Sequence, residues 1–292
     1  MSARKHRFGD RKNAHLVRTM DPFSKFYPYI MVHRNEANNL YDEAFRVNEA
    51  DAFLHDLRKQ GYKGIGLMYF IIAAYVRALA KYPALNRYVA GRRIYARDTI
   101  EAAMVVKRDM TLDGEETTIK VCFEPTDTII DIYRKFGEVI EEIKKGPEDN
   151  NSEKVAKALT RLPRFILRFV IFLLKVMDYY DLIPSALLAA SPFHATVMFT
   201  NLASLGIQPV FHHLYNFGAL PVFVAFGTKR YVYELNAKGE IQKNTYVDIR
   251  FTMDERIADG FYFAAFLREF KKYFKHPESL LDPPKEVVED ID

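Results

Sequence analysis

Two stretches of this chain carry side chains able to move protons. In Asp254-Glu255-Arg256-Ile257-Ala258-Asp259-Gly260 two carboxylates stand four residues apart before a glycine. In Phe211-His212-His213-Leu214-Tyr215-Asn216-Phe217-Gly218 a pair of imidazoles is followed by a phenol and an amide. An ordinary imidazole titrates near about 6.5 and an ordinary glutamate near about 4.3, so at neutral pH the histidines are the better proton acceptors. A carboxylate competes only where burial raises it; otherwise Glu255 pairs with an arginine, such as the adjacent Arg256. Neighbouring histidines on an extended segment point to opposite sides, and no third ligand accompanies them, so His212 and His213 read as a base or as a polar surface loop, not as a metal site. His194 is a weaker candidate of the same kind. The single cysteine, Cys122, excludes an intrachain disulfide and a multi-cysteine metal site. It lies in the apolar run Ile119–Phe123 and reads as a buried strand thiol.

The elements around these stretches follow from periodicity and punctuation. Asn48–Asp51 can open a helix towards Gln60, with Gly61 ending it. A nearly uninterrupted apolar helix runs from Leu67 to Lys81 and stops at Tyr82-Pro83. Strands are expected near Arg93–Tyr95, Ala102–Lys107 and Thr117–Phe123, with Asp113-Gly114 as a hairpin turn between the last two. Thr126-Asp127-Thr128 opens a helix over Ile129–Lys145, and 146–152 forms a surface loop. Val-, Phe-, Tyr- and Thr-rich strands follow at Ala195–Thr200, Pro221–Phe226, Arg230–Leu235 and Asn244–Thr252. A last helix spans Gly260–Lys275, with Phe263, Leu267, Phe270 and Phe274 on one stripe. Near the start, Tyr27–Arg34 reads as an extended run, with Pro28 at an edge or entry position.

With 292 residues, 49% of them hydrophobic, the chain can bury a large core. A single α/β domain of mixed sheet and helices over 1–292 is expected, with a helical insertion at about 150–192 and a loose acidic tail at 282–292. The formal charge of +4 is mild. The early basic cluster, Arg4 to Lys12, reads as a solvated terminus, so no nucleic acid is expected as partner. The charged N-terminus lacks an apolar signal segment, which makes the cytoplasm the expected location. Residues 164–180 are too short and too charged to span a bilayer; Arg168 and Lys175, two turns apart, make them an amphipathic helix for packing on the domain, on another subunit, or peripherally on a membrane.

Three blocks in order resemble the catalytic domain of the dihydrolipoamide acyltransferases of 2-oxoacid dehydrogenase complexes, in the superfamily of chloramphenicol acetyltransferase. Ile71–Leu79 with Tyr82-Pro83-Ala84-Leu85-Asn86 is similar to the apolar helix ending in Phe-Pro-x-Leu-Asn. Phe199-Thr200-Asn201-Leu202-Ala203-Ser204-Leu205-Gly206 is similar to the Ser-Asn-Leu-Gly loop. The third block, Asp254–Gly260 followed by a helix and His276-Pro277-Glu278-Ser279-Leu280-Leu281, resembles Asp-His-Arg-x-x-Asp-Gly and the Pro-x-x-Leu-Leu ending.

The resemblance implies a chloramphenicol acetyltransferase-like two-layer α/β sandwich, coenzyme A or acyl-CoA as substrate without a metal, small-molecule acyl donor and acceptor, and a homotrimer with sites between subunits. In the family a histidine removes the proton from the attacking hydroxyl or thiol; Glu255 occupies its place here. Thr200 then stands where a hydroxyl stabilises the oxyanion, with Asn201 beside it, Asp259 pairs with an arginine, and Gly260 permits close backbone approach. The same fold brings His212 and His213 near the substrate channel. Two functions follow: acyl transfer from a thioester to a hydroxyl, thiol or amine with an altered base, or a catalytically inactive relative serving as a binding or assembly module.

Overall fold

The computed structural model describes residues 6–107, 116–145 and 158–292. Strands β2 (Asn38–Arg46), β5 (Ile100–Lys107), β6 (Glu116–Phe123), β7 (Val197–Asn201), β8 (Val222–Leu235) and β9 (Ile241–Asp254) form a six-stranded sheet in the order β2-β9-β8-β7-β5-β6. The β5–β7 and β7–β8 pairs are parallel and the others antiparallel, so the sheet is mixed. A smaller antiparallel sheet, β1 (Ala14–Leu16), β4 (Arg93–Arg97) and β3 (Arg87–Ala90), stands apart from it. The Asp113-Gly114 turn and the loop at 146–152 lie outside the described residues.

Alternation along the strands sorts side chains between the two faces of the large sheet. Val197, Phe199, Val222, Val224, Phe226, Ile249, Phe251 and Met253 turn to one face and join the main core. Covering them are α2 (Asn48–Lys59), α3 (Leu67–Lys81), α4 (Ile129–Lys145) and α7 (Gly260–Lys275). The α7 stripe supplies Phe266, Phe270 and Phe274, whose rings meet Phe45, Phe70, Phe251 and Tyr75 at centroid separations of 4.8–5.6 Å. The bounds of α3, α4 and α7 match those expected from periodicity, because each begins and ends on a local signal. At α4, Thr128 Oγ1 accepts from the Asp131 amide at 3.2 Å while the Asp131 carboxylate accepts from the Thr128 amide at 3.0 Å.

Met198, Phe223 and Ala103 turn to the opposite face, where residues 206–218 cover them with Leu214 and Tyr215. This covering segment is pinned tightly. A Cβ on Gly218, whose φ is +80°, would lie 2.3 Å from the Phe193 carbonyl oxygen. Gly61, at φ +105°, has nothing within 4 Å of that position. Gly61→Ala therefore meets backbone strain alone, about 1–2 kcal/mol, whereas Gly218→Ala adds a steric clash and is expected to cost clearly more in urea unfolding. Equal losses for the two variants would show that the segment yields freely.

Two expectations are corrected. The first half of the run read as extended, Tyr27–Ile30, is instead the last turn of helix α1 (Pro22–Ile30), with Pro28 inside it, and Arg34 opens a short 3-10 turn. The start of α1 is set by Asp21, whose carboxylate accepts from the amides of Phe23 at 2.9 Å and Ser24 at 3.3 Å, and by Pro22 in the first turn. The acidic tail is docked, not loose. Val288 donates its amide to the Ala80 carbonyl at 2.8 Å, and Asp290 accepts from Arg87 Nε at 2.6 Å, both side chains being buried. Buried Arg77 further donates to the Ser279 carbonyl at 2.9 Å. Arginines brought out of water by the body of the protein need acceptors, and the tail supplies them.

Candidate active site

Asp254, at the end of β9, is wholly buried and organises this corner of the molecule. Its carboxylate accepts from Arg256 Nε at 2.7 Å and from Arg256 Nη2 at 2.6 Å, and lies 3.4 Å from Arg34 Nε. The outer arms of the two arginines tie down other segments: Arg256 Nη1 donates to the Met31 carbonyl, and Arg34 donates to the carbonyls of Tyr215 and Val89. Burial, partly offset by Asp254, lowers the Arg34 pKa to about 10, which leaves it charged at neutral pH.

Glu255 is not part of this cluster. Its amide continues the sheet by donating to the Ala37 carbonyl at 2.9 Å, while its side chain is exposed. The expected pairing with Arg256 is absent because the turn that follows β9 folds Arg256 back onto Asp254, its amide donating to Asp254 Oδ1 at 3.2 Å, and leaves the Glu255 side chain in solvent. Asp259 also departs from expectation. It meets no arginine among the described residues; its carboxylate caps α7 by accepting from the Tyr262 amide at 2.8 Å. Nothing approaches within 4 Å of a Cβ built on Gly260, so close approach is not what that glycine provides.

Thr200 is half-buried on β7, opposite Ala225, on the same face as Met198. Asn201 follows it, with a buried side-chain oxygen that has no hydrogen-bond partner. His212 lies over this face. Its ring stacks on Phe223 with centroids 4.9 Å apart and planes 14° apart, and its Nε2 is buried without a partner. Since Phe223 pairs with Met198, two residues before Thr200, strand geometry puts Phe223 and Thr200 about 8 Å apart. Burial, assisted by neighbouring His213, lowers the His212 pKa and keeps the ring neutral. His213 points outward, edge-on to Tyr215 at 5.6 Å. No cluster suited to a metal ion occurs among the described residues.

Thr200 and His212 thus share one face of the sheet, with Phe223 between them, while Glu255 is far from both. Arg250 of β9 is level with Ala225 and hence with Thr200. Glu255, five residues farther on and just past the end of β9, is about 16 Å down the strand direction and two strands, about 10 Å, across, so about 19 Å away in all.

A second buried group gathers around His194, whose partners the sequence did not reveal. Helix α5 (Arg164–Tyr179), followed by the short α6 (Ser185–Ala190), carries Asp178 in its last turn, and this carboxylate lies 3.5 Å from both Arg11 Nη1 and His194 Nε2. His194 Nδ1 is 2.8 Å from the Ser191 hydroxyl. Burial lowers the pKa of His194, so the ring is neutral and the long contact to Asp178 is a weak one. Asp178, Arg34, Arg92, Lys175 and Arg256 line a cavity of about 300 Å3 between α1 and α5. The signal for this group was Ser191-Pro192-Phe193-His194, a short turn that returns the histidine onto the serine. A larger cavity, about 740 Å3, lies under the tail and holds none of the proton-moving groups considered above. Cys122 is exposed instead of buried: Val121 and Phe123 take the core face of β6, and partial shielding from water by neighbouring side chains, with Glu101 and Glu124, raises the thiol pKa, which disfavours a nucleophile.

The fold as a whole is similar to those of several solved structures. A probable dihydrolipoamide acetyltransferase from Listeria monocytogenes superposes with a TM-score of 0.55 at 13% identity, over 92% of this chain and 95% of that one. The dihydrolipoamide acetyltransferase of Azotobacter vinelandii gives 0.56 at 12%, over 94% and 95%. A chloramphenicol acetyltransferase gives 0.54 at 12%, over 89% and 99%. The chain has the chloramphenicol acetyltransferase-like acyltransferase fold. No family model and no curated protein matches the sequence. Within this fold α5 is a long apolar helix none of whose residues is fully buried.

Proposed function

We propose that the protein transfers an acyl group from a thioester such as acyl-CoA to a hydroxyl, thiol or amine acceptor, with His212 as general base. The observation that carries this reading is the neutral, unpartnered Nε2 of His212 on the same sheet face as Thr200. In the step, His212 takes the acceptor's proton as its heteroatom attacks the thioester carbonyl. Thr200 donates a hydrogen bond to the oxyanion so formed. Collapse breaks the carbon–sulfur bond, and the departing thiolate recovers the proton from His212.

A serine, a histidine and an asparagine belong to the catalytic mechanism of the Azotobacter enzyme, the last two four residues apart, as are Glu255 and Asp259 here. A homotrimer in which one copy's Glu255 meets another copy's Thr200 would join two groups that a single copy holds about 19 Å apart. A solution mass three times 34.0 kDa is expected in sedimentation equilibrium, and a monomer would remove any role for Glu255 beside Thr200. A panel of acyl-CoA donors with small-molecule acceptors tests the reaction; no thiol release and no CoA binding would end the enzymatic reading. The second reading, an inactive assembly module, is favoured by the exposed Glu255 in place of a base. It predicts the trimer without turnover.

A further inference from the structure

We propose that α5 seats the protein on an anionic bilayer surface. Among the described residues no helix is long and apolar enough to cross a membrane, so the helix lies on the surface. At 100° per residue, Phe172, Phe165, Val176, Phe169, Leu173 and Ile166 occupy one arc about 120° wide. Three phenylalanines on this arc are largely in water: Phe165 is 74% exposed, Phe169 63% and Phe172 62%. A soluble protein gains nothing by holding three phenylalanine rings in water on one helix, and such a contiguous patch marks a docking surface.

Charge selects the occupant. Lys154, Lys157, Arg161, Arg164, Arg168 and Lys175 are joined by no acidic residue between Lys154 and Met177. Arg164, Arg168 and Lys175 share one edge of the apolar arc, within about 40° of one another. Exposed rings flanked by cations fit acyl chains below anionic headgroups. A second copy of this chain fits less well. Helix against helix would bring like charges together, and the acidic tail that could face them already serves Arg87 through Asp290 and Arg18 through Asp292.

The fastening of the helix suits this role. Among the described residues polar bonds hold its C-terminal end, through Asp178 to Arg11 and His194 and through the Tyr179 carbonyl to Arg11 Nη2. Beyond it, Lys12 donates to Asp181 and to the Ile183 carbonyl. Across the 300 Å3 cavity, α1 presents Phe23, Phe26, Tyr29 and Ile30 to solvent as a second apolar surface.

Cosedimentation with vesicles tests the proposal, using phosphatidylcholine alone and phosphatidylcholine with 30% phosphatidylglycerol as about equal lipid loads. The full chain is expected to bind the anionic vesicles, more weakly with added salt, and the neutral ones little. Phe169→Asp with Phe172→Asp should weaken binding at least about a hundredfold, and Arg164→Gln with Arg168→Gln about thirtyfold. Both pairs change exposed residues, and circular dichroism checks that each variant is folded. Absence of binding by the unaltered chain, or binding unchanged in both variants, overturns the proposal. So does a phenylalanine variant that alters the solution mass while vesicle binding stays the same, since the helix would then be a subunit contact.

Discussion

Asp254→Asn is expected to lower the unfolding free energy by about 3–5 kcal/mol, measured as a shift of the urea midpoint. The substitution keeps the size of the side chain and removes the charge that two buried guanidiniums share. Arg256 would lose the partner of its Nε and Nη2, and Arg34 the carboxylate 3.4 Å from its Nε. Neither arginine can reach water, and neither can shed its proton at neutral pH. The loss would spread, because the same arginines hold the carbonyls of Met31, Val89 and Tyr215, and so α1, β3 and the histidine-bearing segment. Since domains are stable by only about 5–15 kcal/mol, Arg34→Lys serves as the milder companion. It retains a charge but loses the fork that spans two carbonyls, and a smaller loss is expected. A cost below about 1 kcal/mol for Asp254→Asn would show the cluster to be open to solvent.

His212→Ala is expected to reduce acyl transfer by about 10²- to 10⁴-fold, the usual contribution of a general base. His213→Ala should change the rate little, because its ring faces solvent. Acid should matter in a definite direction. The active imidazole is neutral, and burial holds its pKa below the ordinary value. The rate should therefore persist to lower pH than for a free imidazole and fall as pH drops through the lowered value. Stability carries the matching sign. Unfolded His212 and His194 bind protons near about 6.5 and the folded rings resist them, so their contribution is full above that pH and erodes below it. If Glu255→Gln abolishes turnover while His212→Ala leaves it intact, the base is Glu255 and the assignment fails.

Much of the frame was legible in the residues. The helices α3, α4 and α7 carry long 3.6-residue patterns, α3 closed by Tyr82-Pro83, α4 opened by the Thr128/Asp131 pair and α7 closed by His276-Pro277, so these bounds needed no tertiary information. Tyr27–Arg34 misled because a short apolar run has no decisive period, and the capping carboxylate of Asp21 lay outside the stretch considered. Two strands expected at Pro221–Phe226 and Arg230–Leu235 proved to be one, β8, with an irregularity between Phe226 and Lys229. A Cβ on Gly227 there would fall 2.4 Å from Pro209, so the irregularity and the covering segment fit each other.

The site divides along the same line. Sequence alone picked out the side chains with usable chemistry, His212, His213, Thr200 and Glu255, and the resemblance that orders them, because residue type and local spacing are properties of the chain. Which of these groups meet was decided only by the tertiary structure. Strand register puts Thr200 on the face that His212 covers but sends Glu255 about 19 Å away, and the turn after β9 gives Arg256 to Asp254 instead of to Glu255. Burial likewise decided charge: it keeps His212 and His194 neutral, and it makes anchors of Arg34, Arg77 and Arg87 that draw in α1, the covering segment and the tail. Such long-range pairings depend on which surfaces leave water together, and no local window of residues encodes that.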